Sequence, residues 1–229
     1  MTDNSSRGFL RDNGLSLFFG TIFLLALVGQ GLTGHAAYNN EALSDGITPV
    51  SLLRYLTSST FAVDVTENWQ SEYLQFLLFI LVTVWLLQRG SPESKELDNA
   101  GLESDKDQMI GKYAKRESPK WAKVGGPRLH VYSNSLVLVM GMIFLLSWLA
   151  QSIAGQAAYN EEQLAELQEP ISWTSYLGSA DFWNRTFQNW QSEFLAVASM
   201  VLLAIYLRQR GSPESKPVGA AHTSTGVEG

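Results

Sequence analysis

The stretch Asn68-Trp69-Gln70-Ser71-Glu72 occurs a second time, letter for letter, at residues 189–193. The same displacement of 121 residues maps QRGSPESK at 88–95 onto an identical run at 209–216. It also carries AAYN at 36–39 onto 157–160. Three blocks in one register, with no gap between them, indicate a duplicated structural unit.

Each copy contains two runs without a charged side chain, at 15–32 and 73–87 in the first copy and at 134–154 and 194–207 in the second. A helix needs about 20 apolar residues to cross a hydrocarbon core of roughly 30 Å. The alternative, four buried helices of a soluble domain, would show polar residues every three or four positions on the outer faces. The sequence therefore predicts an all-α integral membrane protein with four transmembrane helices. Two parallel two-span repeats are expected to pack as a pseudo-twofold bundle.

The repeat also predicts how the chain is divided. The first repeat is expected at 1–96, with spans at about 14–35 and 69–88, and the second at 128–217, with spans at about 134–156 and 190–209. A cytoplasmic linker joins them at 97–127, and its acidic first half is predicted to be disordered. The small, polar tail at 218–229 is also predicted to be disordered.

Lysine and arginine are distributed very unevenly along the chain. The central segment 88–133 holds nine basic residues, whereas loops 36–68 and 157–189 hold one each, Arg54 and Arg185. Basic residues accumulate on the cytoplasmic side of membrane proteins. Both termini and the linker are therefore predicted to be cytoplasmic, with the two loops outside.

The outer loops are expected to contain structure of their own. A proline precedes an apolar stretch in each loop, and these stretches predict short surface helices at 50–56 and 171–177, with the proline in the first turn. Longer helices are expected at about 60–88 and 181–209. Ser59 or Thr60, and Ser179 in the second copy, are the predicted caps of those longer helices.

Gln30 and Gln151 are the polar pair kept in both first spans. An amide in a lipid environment usually bonds across to another helix. We therefore expect each glutamine to form an interhelical hydrogen bond.

The repeated pentapeptide falls where each long helix is expected to enter the lipid. Trp69 and Trp190 suit an aromatic belt at the interface. Asn68 and Glu72 lie four residues apart on one helix face, as do Asn189 and Glu193 in the second copy. Glu72 and Glu193 would then form structural hydrogen bonds to the preceding loop, a proton or cation site, or contacts with headgroups or a partner.

The copies differ where Asp64 in the first corresponds to Arg185 in the second. Equivalent positions near a twofold axis face one another, so an acid opposite a base would attract. We predict that these side chains lie within reach of a salt bridge, although two independently solvated charges are the alternative.

The run QRGSPESK closes each repeat, and its glycine and proline suit the end of a helix. A stop signal does not explain why Glu93, Ser94 and Lys95 recur as well. Either the duplication is recent or the turn is recognised by a partner.

The sequence indicates no cofactor or metal. Cysteine is absent and the three histidines lie far apart. Phosphate-binding, dinucleotide-binding and nucleophile motifs are also missing. The basic segment beside the third span is expected to lie on anionic lipid, and we expect no nucleic-acid partner.

The paired AAYN, NWQSE and RGSPESK motifs resemble a family of small bacterial membrane proteins classed only as a domain of unknown function, over residues 9–217 roughly. The resemblance implies a multi-pass protein of the bacterial cytoplasmic membrane, with no activity or catalytic residue to carry over. We expect a non-enzymatic protein that acts by association with a partner or as a homo-oligomer, as an accessory, scaffold or envelope-stress component. The rival hypotheses are a small ion- or proton-conducting transport unit that uses Glu72 and Glu193, and a membrane enzyme built on the same carboxylates.

Overall fold

The computed structural model describes residues 3–44 and 46–227, apart from the side chains of residues 3–7. The described residues form helices and turns, and no strand occurs among them. The chain divides into two compact units, Met1–Asp64 and Val65–Gly229. This boundary lies inside a helix rather than in the predicted linker.

Unit 1 consists of α1 (Asp3–Asp12), α2 (Gly14–Ser44), α3 (Leu52–Leu56) and the beginning of α4 (Ser59–Val82). The Ser51 hydroxyl caps α3 by accepting the Arg54 N–H at 3.3 Å. Ser58, rather than the predicted Ser59 or Thr60, caps α4 by accepting the Phe61 N–H at 3.2 Å. Each cap satisfies an amide that the first helical turn leaves without a partner.

Unit 2 contains the rest of α4, two short 3-10 helices in the linker, α5 (Pro127–Ser133), α6 (Ser135–Ala165), α7 (Trp173–Leu177) and α8 (Ala180–Tyr206). Ser172 caps α7 and Ser179 caps α8, each by accepting a backbone N–H at 3.2 Å. The prediction of a Ser179 cap is therefore confirmed. The helices α3 and α7 begin three residues after Pro49 and Pro170, so neither proline lies in a first helical turn.

Helices α2 and α6 are long and apolar enough to cross a membrane. Only 6% and 17% of their most apolar segments are buried within the protein, so these are not core helices of a soluble domain. They are the two such helices in the described residues, where the sequence predicts four spans. Helix α4 falls short because Asp64, Glu67 and Glu72 occupy its first half.

The long helices α4 and α8 end before the predicted limits of 88 and 209. Thr83 Oγ1 donates to the Phe79 carbonyl oxygen at 2.7 Å, a bond that favours bending of a helix. Farther along, the Ser94 hydroxyl accepts the Gln88 N–H and the Ser215 hydroxyl accepts the Gln209 N–H, both at 2.9 Å. These serines hold the two amides in the turn, which explains why the helices do not continue to 88 and 209.

The loop that follows the long apolar helix has the same local packing in each unit. In unit 1, Asn39 accepts the Val50 N–H at 2.8 Å and donates to the Val50 carbonyl oxygen at 3.0 Å. In unit 2, Asn160 forms the same two bonds with Ile171, at 2.9 and 3.0 Å. The equivalent asparagines thus tie each loop to the helix before it.

A tyrosine closes each of these loops against a glycine. Tyr55 of α3 is 3% exposed, and its hydroxyl end lies where a β-carbon on Gly34 of α2 would be. Tyr176 of α7 is fully buried and fits Gly155 of α6 in the same manner. These glycines allow the close approach between the short helix and the long apolar helix of each unit.

Candidate functional site

A network of polar groups connects α7, α8 and α4 within unit 2. Arg185 Nη1 lies 3.3 Å from Glu67 Oε2, and Arg185 Nε lies 3.5 Å from Asp181 Oδ2. The Tyr176 hydroxyl donates to Asp181 Oδ2 at 2.9 Å. Asn189 donates to the Arg185 carbonyl oxygen at 2.9 Å. This network joins residues of both repeats at the N-terminal ends of the long helices.

The network shifts the pKa values of its members. Burial raises the pKa of Tyr176, and the neighbouring Asp181 raises it further. Burial alone would lower the pKa of Arg185, but Glu67 and Asp181 together raise it above its usual value. Arg185 is therefore a fixed cation, paired with two carboxylates.

The sequence predicts Asp64 as the partner of Arg185. Within unit 2, the acids that pair with this arginine are Glu67 and Asp181. Asp64 is half-buried in α4, one helical turn before Glu67. The prediction for Asp64 itself stays a prediction.

The two copies of the pentapeptide have different surroundings. In the first copy Gln70 and Ser71 are buried, whereas in the second Gln191 and Ser192 are exposed. The Trp190 indole N–H donates to Gln70 Oε1 at 2.9 Å, so it bonds within the protein, and the interfacial belt stays a prediction.

Trp69 and Asn68 are more exposed than their equivalents in the second copy. Trp69 is 40% exposed, as expected of a residue at an interface, and Asn68 is also exposed. Trp190 and Asn189 are half-buried.

The carboxylates Glu72 and Glu193 lie near enough for the charge of Glu72 to act on Glu193. Glu72 is exposed and Glu193 is half-buried. Neither forms a hydrogen bond or ion pair with a residue that the structure describes, so the structural hydrogen bond to the preceding loop, one of the three alternatives, is not seen among the described residues. Each carboxylate therefore has a like charge as its neighbour, with no ion-paired cation among the described residues of unit 2.

Gln151 lies on the buried face of α6 and is fully enclosed, together with Phe144, Ser147, Ser152 and Gly155. Both polar atoms of its side chain lack a hydrogen-bond partner in the described structure. The predicted interhelical hydrogen bond of Gln151 is therefore wrong. Gln30, its equivalent in unit 1, is half-buried and forms no side-chain hydrogen bond with a described residue.

Aromatic rings surround this face of α6. The Trp148 ring lies 5.6 Å from Phe144, 6.2 Å from Phe182, 6.1 Å from Trp183 and 6.2 Å from Trp190, measured between ring centroids. The Trp148 indole N–H is buried and has no partner among the described residues. An apolar enclosure therefore contains several unsatisfied polar atoms.

At the other end of α4 and α8, the two QRGSPESK turns have one geometry. Gly90 and Gly211 have φ angles of 85° and 80°, a left-handed conformation that favours glycine. Lys95 Nζ donates to the Gly101 carbonyl oxygen and pairs with Glu103, at 3.0 Å each. The recurrence of serine and lysine thus has a structural reason, since they fix the turn and the segment that follows it.

Lys216 is 1% exposed, and its ammonium group is surrounded by backbone oxygens. Nζ donates to the carbonyl groups of Gly90 at 2.6 Å, Ala221 at 3.3 Å, His222 at 2.9 Å and Ser224 at 3.2 Å. Burial lowers the pKa of Lys216, and the nearby charge of Arg208 adds to this effect.

The tail packs on the turn of the first repeat, which differs from the disordered tail that the sequence predicts. Thr225 Oγ1 accepts the Gly90 N–H at 2.9 Å, and the Gly226 N–H donates to the Ser91 carbonyl oxygen at 3.1 Å. Lys216 supplies the physical reason, because its buried ammonium needs the carbonyl groups of the tail. Residues 228 and 229 lie outside the described residues.

The first half of the linker forms a cleft against the first turn. It contains turns fixed by side chains, such as the bond from Ser104 Oγ to Asp107 Oδ2 at 2.6 Å. Its lining is acidic and includes Glu93, Glu96, Asp98, Glu103 and Asp107. Three or more side chains arranged to hold a metal ion do not occur in the part of the chain that the structure describes.

A family model described as Domain of unknown function (DUF6766) matches residues 6–227. The chain belongs to this family. No curated protein and no solved structure was found to match. The DUF6766 match covers nearly the whole chain, which confirms the resemblance to an uncharacterised family, and bacterial origin stays a prediction.

In this DUF6766 chain, four residues of the buried polar sites were not predicted from the sequence: Gln70, Trp148, Tyr176 and Lys216. Gln70 and Lys216 lie inside the repeated motifs, but their equivalents Gln191 and Lys95 are more exposed. Trp148 replaces Leu27 of the first copy, and this difference between the copies is the signal that could have identified it.

Proposed function

We propose that the protein is a non-enzymatic, four-span protein of the bacterial cytoplasmic membrane that acts by association with a partner or as a homo-oligomer. The observation that supports it best is the exposure of α2 and α6, in whose most apolar segments only 6% and 17% of the residues are buried within the protein. An exposed apolar surface of this extent is typical of contact with lipid or with another protein.

Helices α4 and α8 are proposed as the second span of each repeat. Their C-terminal halves, 73–82 and 194–206, carry no charged side chain. These stretches are shorter than about 20 residues, so each span would also use uncharged residues beside the helix. Charged groups at the N-terminal halves would then lie outside the hydrocarbon.

A pseudo-twofold relation between the repeats is also proposed. Two pairs of repeat-equivalent carboxylates, Glu72 with Glu193 and Glu93 with Glu214, lie near each other in unit 2. Burial, and then the charge of Glu214, raises the pKa of Glu93. Proximity of equivalent residues at two levels of α4 and α8 supports parallel packing of these helices.

The orientation can be tested by placing single cysteines in a chain that has none. Thr48→Cys and Glu169→Cys lie at exposed outer positions, and Lys106→Cys lies at an exposed linker position. In intact cells, an impermeant thiol reagent should label the first two and should label the third only after permeabilisation. Labelling of Lys106→Cys in intact cells would contradict the proposed topology.

Transport is the second candidate function, and the proximity of Glu72 and Glu193 is the observation that favours it. We expect proteoliposomes with wild-type protein to show no ion flux above that of empty vesicles. Glu72→Gln and Glu193→Gln should give the same result. Their thermal stability should be unchanged or slightly higher, because removing one of two like charges relieves repulsion.

The matched control for this experiment is Glu41→Gln, an exposed residue of the outer part of unit 1. Transport would be established instead if wild type carried an ion flux, if Glu72→Gln or Glu193→Gln abolished that flux, and if Glu41→Gln retained it.

Association is tested by native purification in mild detergent, which should yield an oligomer or a stoichiometric partner. A monomer that alone conducts ions would refute action by association.

A further inference from the structure

We propose that Gln70, Trp148 and Gln151 line a binding site within unit 2 for an uncharged carbonyl group carried on an apolar molecule. The membrane location of that molecule rests on the function proposed above. The hydrogen-bonding requirement rests on the side chains alone.

The first observation is a concentration of unsatisfied polar atoms. Gln70 and Gln151 are fully buried, with an exposed fraction of 0% for each. Five buried side-chain atoms have no partner in the described structure, and four of them belong to these residues: Gln70 Nε2, Trp148 Nε1, and both Nε2 and Oε1 of Gln151; the fifth is Arg208 Nε. Buried polar groups in folded proteins are nearly always bonded, to protein or to ordered water or a ligand.

The second observation is that these residues form one connected cluster. Trp148 and Gln151 are three residues apart in α6, which places them on the same helix face. The rings of Trp148 and Trp190 have centroids 6.2 Å apart, and Trp190 Nε1 bonds Gln70 Oε1 at 2.9 Å. The bond from Trp190 fixes the Gln70 amide and leaves its NH₂ group free to donate.

The unsatisfied atoms define the chemistry of the ligand. Two amide NH₂ groups and one indole N–H are donors, and Gln151 Oε1 is the single acceptor. Such a site takes a group with several hydrogen-bond acceptors. An anion is disfavoured, since the nearby cation Arg185 is already paired with Glu67 and Asp181.

The surroundings define the rest of the molecule. Phe144, Phe182 and Trp183 pack around Trp148, so the ligand must be apolar or aromatic outside its carbonyl groups. A quinone and the ester region of a phospholipid share this chemistry. Both are available in a bilayer, and they are distinguished by the experiment.

The cluster is specific to α6 of unit 2 and its neighbours. The equivalents in the other copy are Leu27 for Trp148, Gln30 for Gln151 and Gln191 for Gln70. Leu27 has no donor, Gln30 is half-buried and Gln191 is exposed. The duplicated chain thus supplies its own matched controls.

The test uses the full chain in detergent, with three probes: a short-chain benzoquinone, a short-chain phosphatidylcholine, and an alkylbenzene without carbonyl groups. Binding is followed by the midpoint of thermal unfolding and by tryptophan emission. The variants Gln70→Met and Gln151→Met remove the amides at nearly constant volume, and Gln30→Met and Gln191→Met are their controls.

We expect one carbonyl probe to stabilise wild type and both controls, and the alkylbenzene to have no effect. Gln70→Met and Gln151→Met should bind that probe about tenfold more weakly, the ratio for one ordinary hydrogen bond. Stabilisation by the quinone alone assigns the site to quinones, and stabilisation by phosphatidylcholine alone assigns it to lipid.

Trp148→Phe provides a second test, since it removes one donor and keeps the ring packing. It should weaken binding of the same probe and reduce the change in tryptophan emission. The proposal fails if neither carbonyl probe stabilises the protein, or if the alkylbenzene stabilises it equally. It also fails if all four methionine variants bind like wild type, because enclosed water would then satisfy these atoms.

Discussion

Tyr176 packs its ring between two other aromatic rings and also forms a hydrogen bond through its hydroxyl group. Its ring has no exposed surface and lies between Tyr159 and Phe182, at centroid distances of 5.7 Å each. Its hydroxyl group fills the space that a side chain on Gly155 would need, and it donates to Asp181. The tyrosine therefore determines how closely α7 approaches α6 and where α8 begins.

We predict that Tyr176→Phe lowers the free energy of unfolding by about 1.5 to 3 kcal/mol, the range for a buried hydrogen bond to a charged group. Tyr55→Phe is the matched control, because Thr60 stands where Asp181 stands in the second copy. The control should lose less, and the comparison is made by thermal or denaturant unfolding in detergent. Equal losses in the two variants would show that the Asp181 bond contributes nothing specific.

The same substitution has a pH signature. Burial, followed by Asp181, raises the pKa of Tyr176 above its unfolded value of about 10. The stability that Tyr176 contributes is therefore fully present below about pH 10. It decreases at higher pH, because the tyrosine of the unfolded chain loses its proton before that of the folded chain. The difference in stability between wild type and Tyr176→Phe should shrink above that pH.

Unusual polar residues are easier to identify from the sequence than the directions in which their side chains point. Gln151 stands out in the sequence as a polar residue of an apolar helix, but its amide has no partner in the described structure, and the Trp190 indole N–H bonds Gln70. Helices such as α6 are apolar on all sides, so the sequence pattern does not reveal which face is buried. Orientation of their few polar groups depends on packing with α4 and α8.

At the level of elements, the four long helices and the two short loop helices were predictable from the sequence, whereas α1 and α5 were not predicted. The short helices at 52–56 and 173–177 lie inside the predicted 50–56 and 171–177, and every long helix overlaps its predicted range. The errors are at the ends, where α4 stops at Val82 and α8 at Tyr206. Apolar residues continue beyond these ends, so hydropathy alone does not show that Ser94 and Ser215 hold the turn amides.

In the QRGSPESK turns, the sequence alone explains the glycine and the proline but not the serine and the lysine. Glycine and proline indicate a helix end from their backbone preferences alone. Several bonds formed by serine and lysine reach six or more residues along the chain, as from Lys216 to Ser224 or to Gly90. Such contacts require tertiary structure, and for this reason the ordered tail was not predicted.

For the whole molecule, the helical class that the sequence predicts is confirmed for the described residues, whereas the duplication and the four spans stay predictions. Helices α2 and α6 satisfy length and composition, and α4 and α8 carry charges in their first halves. The two copies also differ in those charges. Arg185 corresponds to Asp64, and Glu67 corresponds to Gln188.

This difference places the acid Glu67 from the first repeat against the base Arg185 from the second, with 16% and 37% of their side chains exposed. Two copies of the first repeat would place Asp64 and Glu67 on both helices, and two copies of the second would place Arg185 and Gln188 on both, so neither arrangement would contain this pair. The ion pair is therefore a property of the tandem chain, consistent with the attraction expected at this level of the long helices.

A double-mutant cycle tests this pair, using Glu67→Gln, which installs the residue of the second copy, and Arg185→Gln. We predict a coupling energy of about 0.5 to 1 kcal/mol, because a partly exposed ion pair is screened by solvent. The coupling should decrease at 1 M salt, where the screening length falls to about 3 Å. Parallel cycles with Asp64→Asn and Asp181→Asn measure how much each of these acids contributes. A coupling near zero for Glu67, with a larger value for Asp64, would mean that Asp64 is the acid that Arg185 depends on, as the repeat first predicted.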